Sequence, residues 1–268
     1  MGRLIAPFPR VAIVGVGLLG SSIAKATLRK WPIVEIIPIE PHDPISRVAR
    51  ADLVVLAAPV LANIARLGEL PPHLAPEAVV TDVSSTKRLI VSAAAALPAV
   101  TFIGGHPMAG NARGGAGNAR TDMFDGRPWI LTPAAGHTAA LGQIQEFVAG
   151  LGSVPHIMTP ELHDRFVGAV SHLPQLTASA LMHVVGKLAG DAGLELAGRG
   201  LDDSTRLAAS PADIWRDVAA TNHDVLRGAL DALIATLTEM RDTLDTGEAI
   251  DAVFTSASRW RETLDRMR

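Results

Sequence analysis

Apolar positions change their spacing near residue 160. Before that point, short apolar runs recur: "VAIV" (11–14), "IVEIIPIE" (33–40), "ADLVVLAAP" (51–59), "EAVVTDVSS" (77–85), "VTFIGGHP" (100–107), "RPWILTP" (127–133) and "SVPHIM" (153–158). Several are apolar throughout, as a strand covered by helices on both faces can be. Between them lie helix-forming stretches: "SSIAKATLRK", "KRLIVSAAAALP", and "LGQIQEFVAGLG", which puts Ile144, Phe147, Val148 and Leu151 at helical spacing. Strand alternating with helix predicts an α/β fold, a doubly wound Rossmann-type parallel sheet. The segment "PHDPISRVAR" (41–50) is short for a crossover plus a further strand, so the sheet is expected to lack one strand there.

Beyond Thr159-Pro160, an N-cap followed by a first helical position, the strand pattern stops. Residues 160–189 and 211–246 keep helical spacing with few breakers. The expected division is an α/β domain over 1–158 and an all-helical domain over 159–268. In the first helical stretch Asp164, Gly168, Ser171 and Gln175 make one polar stripe, with Phe166, Val167 and Val170 on an apolar side. The stripe is either a wall of a cleft or a solvated face.

"GVGLLG" joins the first strand to the first helix. Gly15 would permit a tight turn, Gly17 the approach of backbone to a pyrophosphate, and Gly20 close packing of helix on strand, with Val16, Leu18 and Leu19 between them. The alternative is glycines that serve packing alone. Glu40, which ends the next strand 20 residues after Gly20, can accept hydrogen bonds from an adenosine ribose and would repel a 2′-phosphate. NAD is therefore favoured, with NADP possible because Asp43 could take the role and Arg47 is near. Ala58 and Pro59, closing the third strand, are further cofactor-contact candidates.

Two strand ends carry chemistry. "TDVSSTK" and "GGHPMAG" place Ser85 and His106 where an open α/β sheet has its ligand crevice. A neutral imidazole can take a proton from an alcohol as hydride leaves its carbon. Pro107 biases His106 towards extended backbone. The competing readings are a histidine bonded to backbone and, for Ser84 or Ser85, a helix N-cap.

Composition narrows the partners. A formal charge of −3 with 24 Lys+Arg in 268 residues offers no footprint for a phosphate backbone, so no nucleic acid is expected. The amino terminus lacks a signal-peptide core and apolar runs stop near ten residues, so no membrane association is expected, and the absence of cysteine agrees with a reducing cytoplasm. The nine histidines include no H-x-x-x-H pair, and no metal site is expected.

In order, "GVGLLGSS", "DLVVLAAP", "TDVSSTK", "HPMAG", "FDGRPWILTP", "PELHD", "SHLPQ" and "RLAASPADIWRD" resemble the prephenate/arogenate dehydrogenases of tyrosine biosynthesis. The resemblance implies NAD(P)-dependent oxidative decarboxylation of a cyclohexadienol, with His106 as catalytic histidine and Ser85 supporting hydroxyl and nicotinamide. It further implies that Arg206 binds the substrate carboxylate, and that the chain forms a homodimer mainly through its helical domain. Gln175 is a substrate-binding candidate standing where many relatives have a second histidine, and Ala112 stands where they often have an acid. Loss of that acid leans towards prephenate over arogenate, whose ammonium would favour a carboxylate. Arg206 could instead pair with Asp202 or Asp203; Trp215 and Arg216 are expected to line or support the site. The rival readings are another two-domain dehydrogenase, of hydroxyacid or imine-reductase type, and a catalytically silent NAD-binding protein. Lys187 is the only lysine after Lys87, late for the catalytic lysine such enzymes want.

Overall fold

The computed structural model describes residues 5–110, 114–134 and 137–267. Met1–His223 form one compact unit and Asp224–Arg268 a second.

The first unit is built on a seven-stranded sheet: β1 (Arg10–Val14), β2 (Glu35–Ile39), β3 (Leu53–Leu56), β4 (Val79–Asp82), β5 (Thr101–Pro107), β6 (Pro128–Pro133) and β7 (Val154–Ile157), in the order β2-β1-β3-β4-β5-β6-β7. Helices α1 (Leu18–Lys30), α2 (Val60–Glu69), α3 (Arg88–Ala95) and α4 (Thr138–Gly150) make the connections that carry a full helix. The apolar runs fail to alternate for the expected reason. On β1, Val11 and Ile13 join one core with Val55, Leu131 and Phe147, while Ala12 and Val14 join another with Ile39, Leu56 and Ile90. Each face of the sheet is thus buried under its own layer.

Only a 3-10 segment, Ile45–Arg50, links β2 to β3, which lie on either side of β1. The strand that the short sequence could not supply is absent from that link. A second departure was not foreseen: β6 runs antiparallel to β5, with His106 opposite Ile130. Among the described residues, the link from β5 to β6 has no α-helix, only the 3-10 turn Ala116–Asn118. A parallel neighbour needs a crossover to bring the chain back to the starting edge; without one the chain returns from the edge where it left.

The same unit continues with α5 (Pro160–Val167), capped by Thr159, whose hydroxyl accepts from Leu162 N at 3.2 Å. A wide π turn, Gly168–His172, leads into α6 (Leu173–Leu194). The reason lies in Pro174, which has no N–H to continue the α ladder and whose ring clashes with the carbonyl four residues back. The N–H of Leu173 instead reaches Gly168 O, five residues earlier. Then follow α7 (Arg199–Thr205), a 3-10 turn Arg206–Ala209, and α8 (Ala212–Thr221). From its second residue, α9 (His223–Asp242) belongs to the second unit, where it and α10 (Glu248–Arg266) are joined by a turn in which Gly247 has φ +73°. No helix among the described residues is long and apolar enough to cross a membrane.

Candidate active site

The parallel strands β1, β3, β4 and β5 end at one edge of the sheet, and the predicted residues gather along it. At β1 the glycine turn is shaped by close approach. Gly15 has φ +101°, and a Cβ on Gly20 would lie 2.0 Å from the carbonyl oxygen of Gly15. Around Gly17, by contrast, a Cβ would meet nothing within 4 Å, and this exposed residue is the N-cap of α1. Val16, Leu18 and Leu19 are half-buried beside it. Open backbone at a helix amino terminus suits a pyrophosphate, so the residues present fit a dinucleotide. Glu40 is exposed just past β2; its N–H donates to Asp43, whose carboxylate also holds Arg47 at 2.6 Å. Arg47 is thereby engaged by an acid. At the end of β3, Asn63 ties Ala58 down: its Oδ1 accepts from Ala58 N, and its Nδ2 donates to Ala58 O and to the Ser84 hydroxyl. Ala58 is half-buried and Pro59 exposed.

Three strands away from β1, about 14 Å at the usual strand spacing, the imidazole of His106 ends β5. Gly105, the residue before it, is gripped at both polar atoms. Its N–H donates to Asp82 Oδ1 at 2.9 Å and its carbonyl accepts from Lys87 Nζ at 2.7 Å. Asp82 and Lys87 also pair with one another, and both side chains are fully buried. A Cβ on Gly105 would sit 2.6 Å from Asp82 O, and one on Gly104 2.2 Å from Thr132 Oγ1, so the run "GGH" is required by proximity. The acid and lysine of "TDVSSTK" therefore serve chiefly to anchor the backbone that carries His106. Burial pushes the Lys87 ammonium down, against the attraction of Asp82.

His106 is 8% exposed and its Nδ1 lies 2.9 Å from Nε2 of His163. His163, on α5, is fully buried, and its Nδ1 lies 2.8 Å from Asp164 Oδ1. Asp164 in turn accepts from the backbone N–H groups of Lys87 and Arg88 and from Arg88 Nε. These bonds correct one expectation: neither Ser84 nor Ser85 caps α3, because the carboxylate of α5 occupies its amino-terminal amides. Asn222 closes the cluster, donating to Asp164 O and accepting from Arg88. Burial, then the charges of His163, Lys87 and His172, push His106 well below its usual range. His163 is lowered as well, by burial first, with Asp164 opposing. For Asp164, burial acts to raise, but the bonds from His163 and the two amides hold it below the usual carboxylate range.

His172 was not among the predicted residues. It is 1% exposed, its Nε2 makes no hydrogen bond of standard geometry among the described residues, and its ring meets Trp215 edge-on with centroids 5.9 Å apart. Burial and the neighbouring His163 bring it down to about 4, opposed by Asp164 and the Ser85 backbone. Ser85 is half-buried beside this group. The polar stripe of the sequence faces inward: Asp164, Gly168 and Gln175 are buried, and the solvated-face alternative is overturned. On the apolar side Phe166 and Val170 are exposed.

Gln175 does not stand free in a cleft. Its amide donates to Leu207 O at 2.8 Å and accepts from Ser210 at 3.3 Å, binding α6 to the turn that carries Arg206. Arg206 is exposed and makes no ion pair with Asp202 or Asp203 among the described residues. Arg216 is also exposed. Ala112 lies outside the described residues. A cavity of about 630 Å³ is lined by Met108, Ala109 and Gly110, which follow β5, and by Met123 with the charged Arg120, Asp122, Asp125 and Arg127. Sequence reasoning missed His163 as the partner of His106 and Asp164 as the partner of His163; the adjacent pair within "PELHD" was the one signal available.

Two family models cover most of the chain: "Prephenate dehydrogenase, nucleotide-binding domain" over residues 16–156 and "Prephenate dehydrogenase, dimerization domain" over 159–255. Prephenate dehydrogenase of Bacillus subtilis is 30% identical over 280 residues, spanning 95% of this chain and 76% of its own. Cyclohexadienyl dehydrogenase of Zymomonas mobilis is 30% identical, with 87% and 88% covered. Among solved structures, the Aquifex aeolicus prephenate dehydrogenase in complex with hydroxyphenyl propionate and NAD+ superposes with a TM-score of 0.85 at 26% identity, covering 97% of this chain and 98% of that one. Synechocystis arogenate dehydrogenase gives 0.79 at 26% identity, with 95% and 99% covered. The chain belongs to the prephenate dehydrogenase family.

Proposed function

We propose that the protein catalyses NAD-dependent oxidative decarboxylation of prephenate or arogenate in tyrosine biosynthesis, with His106 as catalytic residue. Bound NAD supplies the hydride acceptor. The protein's part is to bind, orient and move one proton. As the carbon bearing the hydroxyl loses its hydrogen with the bonding pair, the hydroxyl proton passes to His106 Nε2 and the C–O bond becomes a carbonyl. The bond to the ring carboxylate then breaks, carbon dioxide leaves, and its electron pair restores aromaticity. The oxygen regains a proton, and His106 ends as it began.

The observation that carries this reading is His106 held at the crevice edge with Nδ1 engaged by His163, which leaves Nε2 free among the described residues. Its depressed basicity suits a group that must be neutral before it accepts a proton. Gly15, Gly17 and Gly20 with Val16, Leu18 and Leu19 would hold the pyrophosphate, Glu40 the ribose, and Ala58 and Pro59 the nicotinamide side. Ser85 would bond the substrate hydroxyl, and Arg206 would take a carboxylate, for which a guanidinium fork is suited. Gln175 is assigned to support of Arg206. A division at 158/159, a cytoplasmic location and a homodimer belong to the same proposal. The match of 159–255 to a dimerization domain supports the last, as do exposed Val184 and Leu188 on α6.

Protein mixed with NAD and prephenate or arogenate should produce reduced nicotinamide, read by absorbance. His106→Asn should lower that rate at least about 100-fold while NAD affinity stays within about twofold. Turnover surviving in His106→Asn would overturn the assignment.

A further inference from the structure

Resting on the role proposed for His106, we infer that His163 and Asp164 are positioning residues that fix its tautomer, so that Nε2 presents a lone pair to the substrate hydroxyl. Donors and acceptors along a buried line of side chains determine that tautomer.

Asp164 receives four donors: the N–H groups of Lys87 and Arg88, the Arg88 side chain and His163 Nδ1. A carboxylate so surrounded is ionised and can only accept. His163 must therefore carry its hydrogen on Nδ1. Its ring is neutral, since burial disfavours the charged form, so Nε2 of His163 holds a lone pair. The contact of 2.9 Å to His106 Nδ1 then requires that His106 be the donor. A neutral His106 with hydrogen on Nδ1 has Nε2 unprotonated, which is the form that can accept a proton. When that proton arrives, the positive ring strengthens its bond to His163, which leans on Asp164. The charge is stabilised through two hydrogen bonds without the proton having to leave His106.

The arrangement has no slack. His163 and Asp164 have no exposed surface, and Asp164 is locked to the start of α3. Adjacent residues on α5 thus do separate work: one side chain faces β5, its neighbour faces α3. Other charged or titratable groups around this line are Lys87 and Asp82 beneath His106, Arg88 on α3 and His172 in the π turn. None of them is bonded to a nitrogen of His106 among the described residues, so the tautomer is set through His163.

Asp164→Asn tests the assignment, because it preserves size while changing the donor pattern. Asparagine has one acceptor oxygen; at the Oδ2 position, where it keeps the two Arg88 donors, it leaves its NH2 at the Oδ1 position facing His163 Nδ1. His163 shifts its hydrogen to Nε2 and donates to His106, whose own hydrogen moves to Nε2. The expected result is a fall in kcat of at least about 100-fold, towards the roughly 10⁴-fold seen when a catalytic histidine is forced into the wrong tautomer, with NAD affinity within about twofold. In 15N NMR of histidine-labelled protein, the His106 Nε2 resonance should be pyridine-like in the wild type and pyrrole-like in Asp164→Asn. A wild-type spectrum with Nε2 protonated overturns the inference, even should the variant fail to fold. So does a variant that keeps turnover within about fivefold, or one that loses turnover with the tautomer unchanged. Full activity in His106→Asn would sink the reading of His106 itself, and the two failures are therefore distinguishable.

Discussion

The two ends of the crevice are built by opposite means. At the end of β1 recognition is assigned to what is absent: no side chain at 15, 17 or 20, and open backbone at Gly17. At the end of β5, side chains from β4, the start of α3, α5, the π turn and the end of α8 converge, and Asp82, Lys87, His163 and Asp164 are bonded to one another, to His106 or to neighbouring backbone. The first end leaves open backbone at a helix amino terminus, which suits phosphates that bring their own charge. The second keeps its charges inside, to hold one ring still. Affinity and geometry are thus separable burdens, carried by different strands of one sheet.

The contrast can be broken most severely at Lys87. Lys87→Met strips the counter-charge from buried Asp82 and should cost about 3–5 kcal/mol, measured by chemical denaturation. Adding Asp82→Asn to that variant should recover part of the loss, because a neutral amide is cheaper to bury than an unpaired carboxylate. No recovery would mean that the pair is not the anchor of Gly105. Next in size is the effect of pH on His172. Its folded-state value of about 4 lies below the ordinary 6.5. The unfolded chain thus protonates first as pH falls, and stability is lost between about 6.5 and 4. The share is on the order of 3 kcal/mol. His172→Gln should flatten the decline of folding free energy over that window, whatever it does to stability at pH 7. The smallest effect belongs to the glycine end. Gly20→Ala drives a methyl group against Gly15 O and should cost about 1–3 kcal/mol. NAD affinity should fall while the His106 resonances stay unchanged, which isothermal titration and NMR would read together.

Legibility follows the same contrast. The glycine turn, Glu40 and the strand runs are local patterns, and each could be read over a dozen residues. His106 was legible because a histidine between glycines and proline at a strand end has no packing purpose. Its support was not, because His163 and Asp164 reach it only through the packing of α5 on α3, 57 residues away in the case of His106 and His163. The burial of His172 was hidden by the wide turn. Counting at 3.6 residues per turn selects Ser171 for the inner face, but the slower rotation of Gly168–His172 brings His172 inward and leaves Ser171 only half-buried. Lys87 read as a helix start because nothing in "STKRLI" shows that its side chain turns back beneath β5. The direction of β6 was likewise out of reach, since apolar runs look alike whichever way they travel.

That reversed strand has a further consequence. The chain leaves β5 at Met108, whose N–H bonds Pro128 O at 2.8 Å, so the excursion between them starts and finishes on a single stem at the rim. A crossover helix would have had to keep its length to span the sheet, whereas an excursion anchored at adjacent points can gain or lose residues without moving any strand. Here natural variation could reshape the mouth while the machinery beneath stayed intact.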